Sequence, residues 1–196
     1  IPGTGKTTAV RRIFSEVEET TRRLIPVYVN CQTEHTKFAV FAKIYGKLHG
    51  HQPPPTGTPV RKLIYDVGKT LSEKGIVLSV CLDDANYLLV NKALNEILYT
   101  ILRLYEEFPN ARTGVLLPMS SMDVQLPQEL DPCVLSVLQL KEVYFAPYNE
   151  EEISEILKAR IRKGLYPNVV PESMFDLIIE QTMRCGDLRV GLDLVK

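Results

Sequence analysis

The stretch Ile1-Pro2-Gly3-Thr4-Gly5-Lys6-Thr7-Thr8 decides how the rest of this sequence is interpreted. Gly5, Lys6 and Thr7 fill the last three positions of the phosphate-loop pattern G-x-x-x-x-G-K-[ST], whose first glycine would fall one residue before Ile1. Glycine lets the backbone turn tightly, so that successive N–H groups point at phosphate oxygens. The stretch predicts a phosphate-binding loop; the alternative is an ordinary glycine-rich turn ahead of a helix.

Each residue type in this loop suits a bound nucleoside triphosphate. Lys6 brings a positive charge to the β and γ phosphates, and the Thr7 hydroxyl is a magnesium ligand. The helix that follows presents its N-terminal dipole to the same anion. We therefore expect ATP or ADP with Mg²⁺ as cofactors. The predicted nucleotide contacts in the loop are Pro2, Gly3, Thr4, Gly5, Lys6, Thr7 and Thr8.

A second motif lies at the end of an apolar run over 76–82, which reads as a buried parallel strand. The run ends in Asp83 and Asp84, at the strand end where ligands bind in open parallel sheets. In phosphate-loop ATPases the first acid holds the magnesium site, and the second polarises the attacking water. This pattern predicts Asp83 at the metal and Asp84 as a catalytic residue. The alternative is a solvated Asp-Asp turn that caps the next helix.

The composition bounds the class of protein. The chain has 196 residues, of which 45% are hydrophobic, enough for one α/β domain and a small appendage. A net charge of −1 gives no global attraction to nucleic acid, so any DNA contact must be local. The four cysteines show no metal-type spacing, and no apolar run is long enough to span a membrane. Reduced thiols in a cytoplasmic protein are the expectation.

Strands that alternate with helices predict a parallel, doubly wound sheet. The predicted strands are 24–30, 76–82, 113–119 and 142–145. The predicted helices between them are 6–19, 36–48, 59–74 and 94–105.

The character of the sequence changes at Pro147. Asn149 with Glu152 forms a variant of the capping box, and Tyr148 with Ile153 is placed for a hydrophobic staple. This helix and two more, over 171–183 and 187–196, predict a small three-helix unit. The predicted domains are 1–146 and 147–196.

Several stretches together resemble a known family. The phosphate loop, Asp83-Asp84-Ala85-Asn86 and the three-helix tail look like an AAA+ ATPase. The stretch 143–152 resembles the junction between the last strand and the lid of replication initiators, and 156–160 resembles the lid helix that follows. Gly186-Asp187-Leu188-Arg189 resembles the sensor-two motif. The branch that the chain resembles is the archaeal origin-recognition and cell-division-control initiator family.

The resemblance implies a fold and partners. The fold would be α/β, with a parallel doubly wound AAA+ sheet that lacks its first strand here, followed by the three-helix lid. A winged-helix DNA-binding domain would be expected after Lys196. Members of this family bind origin DNA and help load the replicative helicase. Origin DNA, other initiator subunits and that helicase are therefore implied as partners, in the archaeal cytosol or nucleoid and not at a membrane.

The resemblance also implies residue roles. Lys6 and Thr7 would hold phosphate and magnesium, and Asp83 would complete the metal site. Arg189 would reach the γ-phosphate from the lid; the alternative is a solvated helix residue. Tyr148 would border the adenine; the alternative is the hydrophobic staple alone.

The family inserts a DNA-contacting helix after its second strand, and 36–48 is the candidate here. Its lysines, Lys37, Lys43 and Lys47, would meet DNA phosphates. The alternative is a solvated amphipathic face.

Three positions depart from the family's pattern. The second acid is Asp84 where glutamate is usual, and the sensor-one position carries Ser121 where asparagine is usual. Cys133 stands where an arginine finger is often found. Asp84, Ser121 and Arg189 are thus the implied catalytic set, in a protein that binds ATP and hydrolyses it slowly.

Other classes of protein share parts of this pattern. One is a different AAA+ machine, such as a clamp loader or a regulatory ATPase of signal-transduction type. A small-molecule kinase would need an arginine-rich substrate lid, which the core sequence lacks. A degenerate module that holds partners without turnover agrees with the three departures.

Overall fold

The structure is a computed structural model that describes residues 2–54, 57–120, 125–167 and 169–196. Its elements in chain order are α1 (Lys6–Thr20), β1 (Leu24–Asn30), α2 (Lys37–His49), α3 (Val60–Lys74), β2 (Val77–Asp83), α4 (Asn86–Val90), α5 (Leu94–Leu102), α6 (Leu104–Glu107), β3 (Arg112–Leu116), α7 (Leu126–Glu129), α8 (Pro132–Leu135), α9 (Glu150–Gly164), α10 (Glu172–Cys185) and α11 (Leu188–Leu194). The alternation of strands and helices confirms the predicted α/β class.

The described strands form one parallel sheet in the order β1-β2-β3. Leu24 of β1 pairs with Val77 of β2, which in turn pairs with Arg112 of β3. The central strand β2 is buried over most of its length. This burial explains its nearly unbroken apolar sequence, because a strand covered by helices on both faces has no polar side.

The chain divides into two compact units, of which the larger is Thr7–Lys141. One face of its sheet carries the main core, where Phe41 and Ile44 of α2 and Leu98 of α5 are fully buried. On the other face, Val10 and Phe14 of α1 pack around Cys81. Burying each such side chain contributes about 1.5–3 kcal/mol. The sheet and α1 are thereby fixed relative to each other, which positions the strand ends against the head of α1.

The smaller unit combines Ile1–Lys6 with Glu142–Lys196 and contains α9, α10 and α11. Leu157 is fully buried at its centre, together with Ile153 and Phe175. The predicted capping box is confirmed: the Asn149 side chain accepts from the Glu152 backbone N–H, and the Glu152 carboxylate accepts from the Asn149 N–H, each at 2.9 Å. The predicted domain boundary between residues 146 and 147 stays a prediction.

The prediction of a strand over 142–145 was wrong. This segment is irregular, and its side chains at Val143 and Tyr144 are 79% and 67% exposed. β-Branched and aromatic residues favour strands only when they pack on a sheet and a neighbouring strand completes the ladder. Among the described residues, the sheet offers this segment no such partner.

Gly68 lies where α3 packs against Phe108, and a Cβ built on it would overlap the Phe108 ring. Gly68→Ala is expected to lower the free energy of unfolding by about 1–3 kcal/mol, because the buried ring must move. Gly46→Ala in α2 is the matched control, since its new Cβ would first meet the flexible end of Gln52. Chemical denaturation of both variants measures the difference. Equal stability of Gly68→Ala and the parent would show that the ring moves at no cost.

Candidate functional site

The loop before α1 has the tight backbone turn that its glycines predicted. Gly3 and Gly5 have φ angles of +74° and +81°, a left-handed conformation that favours glycine. Thr4 between them is buried, and its hydroxyl oxygen accepts a hydrogen bond from Lys6 Nζ at 3.0 Å. Pro2 is an exposed turn residue at the start of the loop. The loop leads directly into α1, whose first residue is Lys6.

Two side chains of the smaller unit crowd these glycines. A Cβ on Gly3 would overlap the Asp187 carboxylate, and a Cβ on Gly5 would lie 2.5 Å from the Tyr148 hydroxyl. The Tyr148 ring also packs against the cluster that contains Ile153, as the staple interpretation predicted. Tyr148 thus makes the staple contact and reaches the loop at the same time. Any side chain at position 3 or 5 would disturb this packing.

Asp83 sits at the end of β2, opposite the head of α1. Thr7 Oγ1 donates a hydrogen bond to Asp83 Oδ2 at 2.7 Å, and the Tyr28 hydroxyl donates to the same oxygen at 2.6 Å. The Asp84 backbone N–H donates to Asp83 Oδ1 at 3.2 Å. The residue is only 4% exposed. A buried carboxylate is costly unless donors surround it, and these three contacts meet that requirement.

Tyr28 is a protonated donor at neutral pH. Burial, followed by its hydrogen bond to Asp83, raises the pKa of the Tyr28 phenol to about 12. The Arg11 guanidinium carbon lies 4.6 Å from the centre of the ring. Tyr28 carries no motif signal in the sequence, because the phosphate-loop pattern contains no residue of the neighbouring strand.

Asp84 is held between the ends of the two outer strands. Its Oδ1 accepts from Ser120 Oγ at 2.6 Å, and its Oδ2 accepts from Gln32 Nε2 at 3.0 Å. The side chain does not cap α4, which has Ala85 at its N-cap without a side-chain cap. The alternative of a simple capping turn is therefore not what the structure has. The sequence motifs did not identify Gln32 and Ser120 as site residues, although both follow parallel strands whose carboxyl ends converge.

The Thr7–Asp83 pair fits a magnesium ion that also binds phosphate. The Thr7 hydroxyl gives its hydrogen to Asp83, which leaves the oxygen lone pairs for a cation. Mg²⁺ in nucleotide sites commonly uses one or two carboxylates, with waters and substrate phosphates as the other ligands. Within the described ranges, no three His, Cys, Asp or Glu side chains cluster as a metal site would need without phosphate.

Two further predicted site residues, Thr8 and Arg189, are exposed to solvent. Thr8 is exposed in the first turn of α1. Arg189 is exposed on α11, where it lines a cavity of about 650 Å³ with Arg160 and Leu192. In the part of the chain that the structure describes, no hydrogen bond or ion pair of its guanidinium is found, and its backbone N–H donates to Asp187 Oδ1 at 2.9 Å. Ser121 lies outside the described residues.

Two features bear on the family-based expectations. Cys133 is exposed in α8, and its carbonyl oxygen accepts from Arg103 Nη2 at 3.3 Å. The three lysines of α2 are each paired with a carboxylate, namely Lys37–Glu96, Lys43–Glu34 and Lys47–Glu18. These pairs favour the amphipathic-face interpretation of α2.

Across the described residues, no helix is long and apolar enough to cross a membrane.

Solved structures share this fold. The chain superimposes on the Aeropyrum pernix ORC1 protein in complex with DNA with a TM-score of 0.81 and 26% identity, covering 98% of this chain and 50% of that one. The A. pernix ORC2 protein in ADPNP–ADP complexes gives a TM-score of 0.71 and 25% identity, covering 95% of this chain and 51% of the other. Fold and site together define a module of the AAA+ class, as predicted.

Curated relatives identify the family within this class of protein. The chain is 42% identical over 193 residues to ORC1-type DNA replication protein 2 of Methanothermobacter thermautotrophicus, covering 98% of this chain and 50% of the relative. It is 41% identical over 196 residues to the protein of the same name from Methanosarcina acetivorans, covering 100% and 52%. The chain belongs to the family of archaeal ORC1-type DNA replication initiators. It spans about half the length of the curated relatives it matches. No protein-family model matches the chain.

Proposed function

We propose that this chain is the ATP- and magnesium-binding AAA+ module of a replication initiator, and that it hydrolyses ATP slowly. The observation that carries the proposal is the 2.7 Å hydrogen bond from Thr7 to Asp83, which joins the residue after the lysine to the end of the buried strand. The solved A. pernix ORC2 protein in ADPNP–ADP complexes supports nucleotide as the ligand.

The loop residues would bind the phosphates of the nucleotide, and the residues at the strand ends would orient the metal ion and the attacking water. The left-handed glycines turn their backbone so that N–H groups are offered to phosphate oxygens, and Lys6 adds a positive charge. Thr7 and Asp83 would hold Mg²⁺, which supplies charge neutralisation at the phosphates. Asp84 would accept the proton of the attacking water. On the family resemblance, Arg189 reaches the γ-phosphate and Tyr148 borders the adenine.

Slow hydrolysis follows from the surroundings of Asp84. Both carboxylate oxygens already accept hydrogen bonds, from Ser120 and from Gln32. A water that is to be deprotonated must share or displace these donors. This geometry therefore supports a nucleotide switch more than a fast enzyme.

The proposed context is initiation of DNA replication in the archaeal cytosol or nucleoid. Origin DNA, other initiator subunits and the replicative helicase are the proposed partners. The A. pernix ORC1 protein in complex with DNA supports the first of these. Because the chain has a net charge of −1 and the α2 lysines are paired, this chain is expected to contribute little general attraction to DNA.

Calorimetry of ATP binding to the intact protein tests the proposal, with Mg²⁺ and with EDTA. We expect binding that Mg²⁺ strengthens, and a Thr7→Val variant that loses the Mg²⁺ effect because the hydroxyl is gone. Thr20→Val, at the other end of α1, is the matched control. Its hydroxyl donates to the backbone carbonyls of Glu16 and Val17 in the same helix. A parent protein that binds no ATP under either condition contradicts the proposal.

A further inference from the structure

Asp83 has a hydrogen-bond partner that lies outside both sequence motifs. Tyr28 belongs to β1, where it pairs in register with Cys81, two residues before Asp83. Its side chain extends along the sheet toward the strand ends, and its hydroxyl donates to Asp83 Oδ2 at 2.6 Å. The neighbouring strand thus contributes a side chain to the carboxylate of the proposed metal site.

The donors around Asp83 leave little choice of orientation for the carboxylate. An ionised carboxylate offers about four lone-pair directions, two on each oxygen. Thr7 and Tyr28 occupy Oδ2, and the Asp84 N–H occupies one direction on Oδ1. Among the described residues, no donor takes the second direction on Oδ1. Without Tyr28, a buried lone pair would open beside Thr7, and the carboxylate could turn or take up water there.

The helix that carries Thr7 also fixes the position of Tyr28. Arg11 follows Thr7 by about one helical turn, so both side chains leave α1 on the same face. The Arg11 guanidinium lies over the Tyr28 ring at 4.6 Å from its centre. Val10 and Phe14 of the same helix pack with Cys81 and with the Tyr28 ring. One helix therefore sets the positions of both hydroxyl donors to Asp83.

We propose that Tyr28 is a positioning residue for magnesium, because its hydroxyl holds the Asp83 carboxylate in the orientation that receives the Thr7 hydrogen and turns the Thr7 oxygen toward the cation. This inference rests on the proposed nucleotide function. Partners that orient metal ligands commonly change metal affinity by about 10–100-fold when they are removed. Tyr28→Phe keeps the ring and the position of the Arg11 guanidinium over it, and removes the hydroxyl that donates to Asp83.

The test measures ADP binding to the intact protein by calorimetry, first in EDTA and then at increasing MgCl₂. ADP avoids turnover during the titration. Tyr28→Phe is expected to weaken the apparent Mg²⁺ affinity of the protein–ADP complex by about 10–100-fold and to leave ADP affinity in EDTA unchanged. Electron paramagnetic resonance of Mn²⁺ in place of Mg²⁺ gives a second readout of the metal's surroundings.

Tyr99→Phe is the matched control, because the Tyr99 ring also lies under an arginine, with the Arg103 guanidinium carbon 4.9 Å from its centre. It should retain the parent's Mg²⁺ dependence. Tyr28→Phe with the parent's Mg²⁺ dependence overturns the inference alone. Equal losses with EDTA and with Mg²⁺ overturn it too, because they indicate a general structural role. A parent that binds no ADP overturns the proposed function, and the inference with it.

Discussion

Lys6→Ala is expected to abolish nucleotide binding by the intact protein while the fold is kept. The Lys6 ammonium would form charge-assisted hydrogen bonds to the β and γ phosphates, and a hydrogen bond to a charged group contributes about 1.5–3 kcal/mol. The loss of several such bonds amounts to more than about 100-fold in affinity. Lys6 lies partly exposed at the start of α1, outside the hydrophobic core, and its Nζ donates a hydrogen bond to Thr4 Oγ1 of the same loop.

Calorimetry at a concentration where the parent saturates with ATP measures this effect, and circular dichroism checks the fold. Lys69→Ala is the matched control. Lys69 is a half-exposed helical lysine whose ammonium lies 3.8 Å from Glu73 on the same helix. The Lys69→Ala variant should bind ATP like the parent, and its free energy of unfolding should lie within about 0.5 kcal/mol of the parent's. Unchanged ATP affinity in Lys6→Ala would show that the loop is an ordinary turn.

The second large effect is expected in turnover. The parent should hydrolyse bound ATP slowly, because aspartate is one methylene shorter than glutamate. Its carboxylate is thereby withdrawn by roughly 1–1.5 Å from the attacking water, and a misplacement near 1 Å can cost about 100-fold in rate. Loss of an arginine finger at Cys133 would cost about a thousandfold or more. Neither change would remove a contact that is proposed to hold ground-state ATP.

Asp84→Glu should therefore hydrolyse ATP faster, by up to about 100-fold. The structure adds a cost to this substitution. Asp84 has a φ angle of +55°, and aspartate and asparagine adopt this left-handed conformation more readily than glutamate. Asp84→Glu should lose about 1–2 kcal/mol of stability. Asp84→Asn is the matched control, because it keeps the size and the backbone preference but removes the base, so that hydrolysis should fall.

Single-turnover hydrolysis by the intact protein, with and without DNA, measures these rates. A parent rate of several per second without any partner would contradict a slow switch. If Asp84→Glu is no faster than the parent, the absence of an arginine finger at Cys133 limits the hydrolysis rate more than Asp84 does. In that case, an arginine supplied by a neighbouring subunit should accelerate Asp84→Glu more than the parent.

Most of the fold could be predicted because local signals agree with the final packing. Thr36 caps α2 through a side-chain hydrogen bond to the Ala39 N–H, and Gly75 ends α3 in a left-handed conformation. The segment 142–145 has strand composition but gains no ladder partner among the described residues. Propensity alone does not supply the second strand, which is why that prediction failed.

The candidate site could be predicted only where a motif contains it. Thr7 and Asp83 belong to known patterns, and they are brought together. Tyr28, Gln32 and Ser120 reach the two acids from other strands, through a register that one sequence does not reveal. Motif resemblance also predicted a phosphate role for Arg189, which stays a prediction; its backbone N–H donates to Asp187 Oδ1.

The parallel pairing of β1 with β2 has a consequence for how the chain folds. Leu24 must meet Val77, and Thr7 must meet Asp83 across 76 residues, before the proposed metal site can form. Contacts between distant parts of a chain form late, because loop closure must come first. Helices α2 and α3 can form earlier from local sequence alone. A nucleotide that recognises only the finished arrangement then stabilises the native state and none of its precursors, so its presence should slow unfolding without hastening folding.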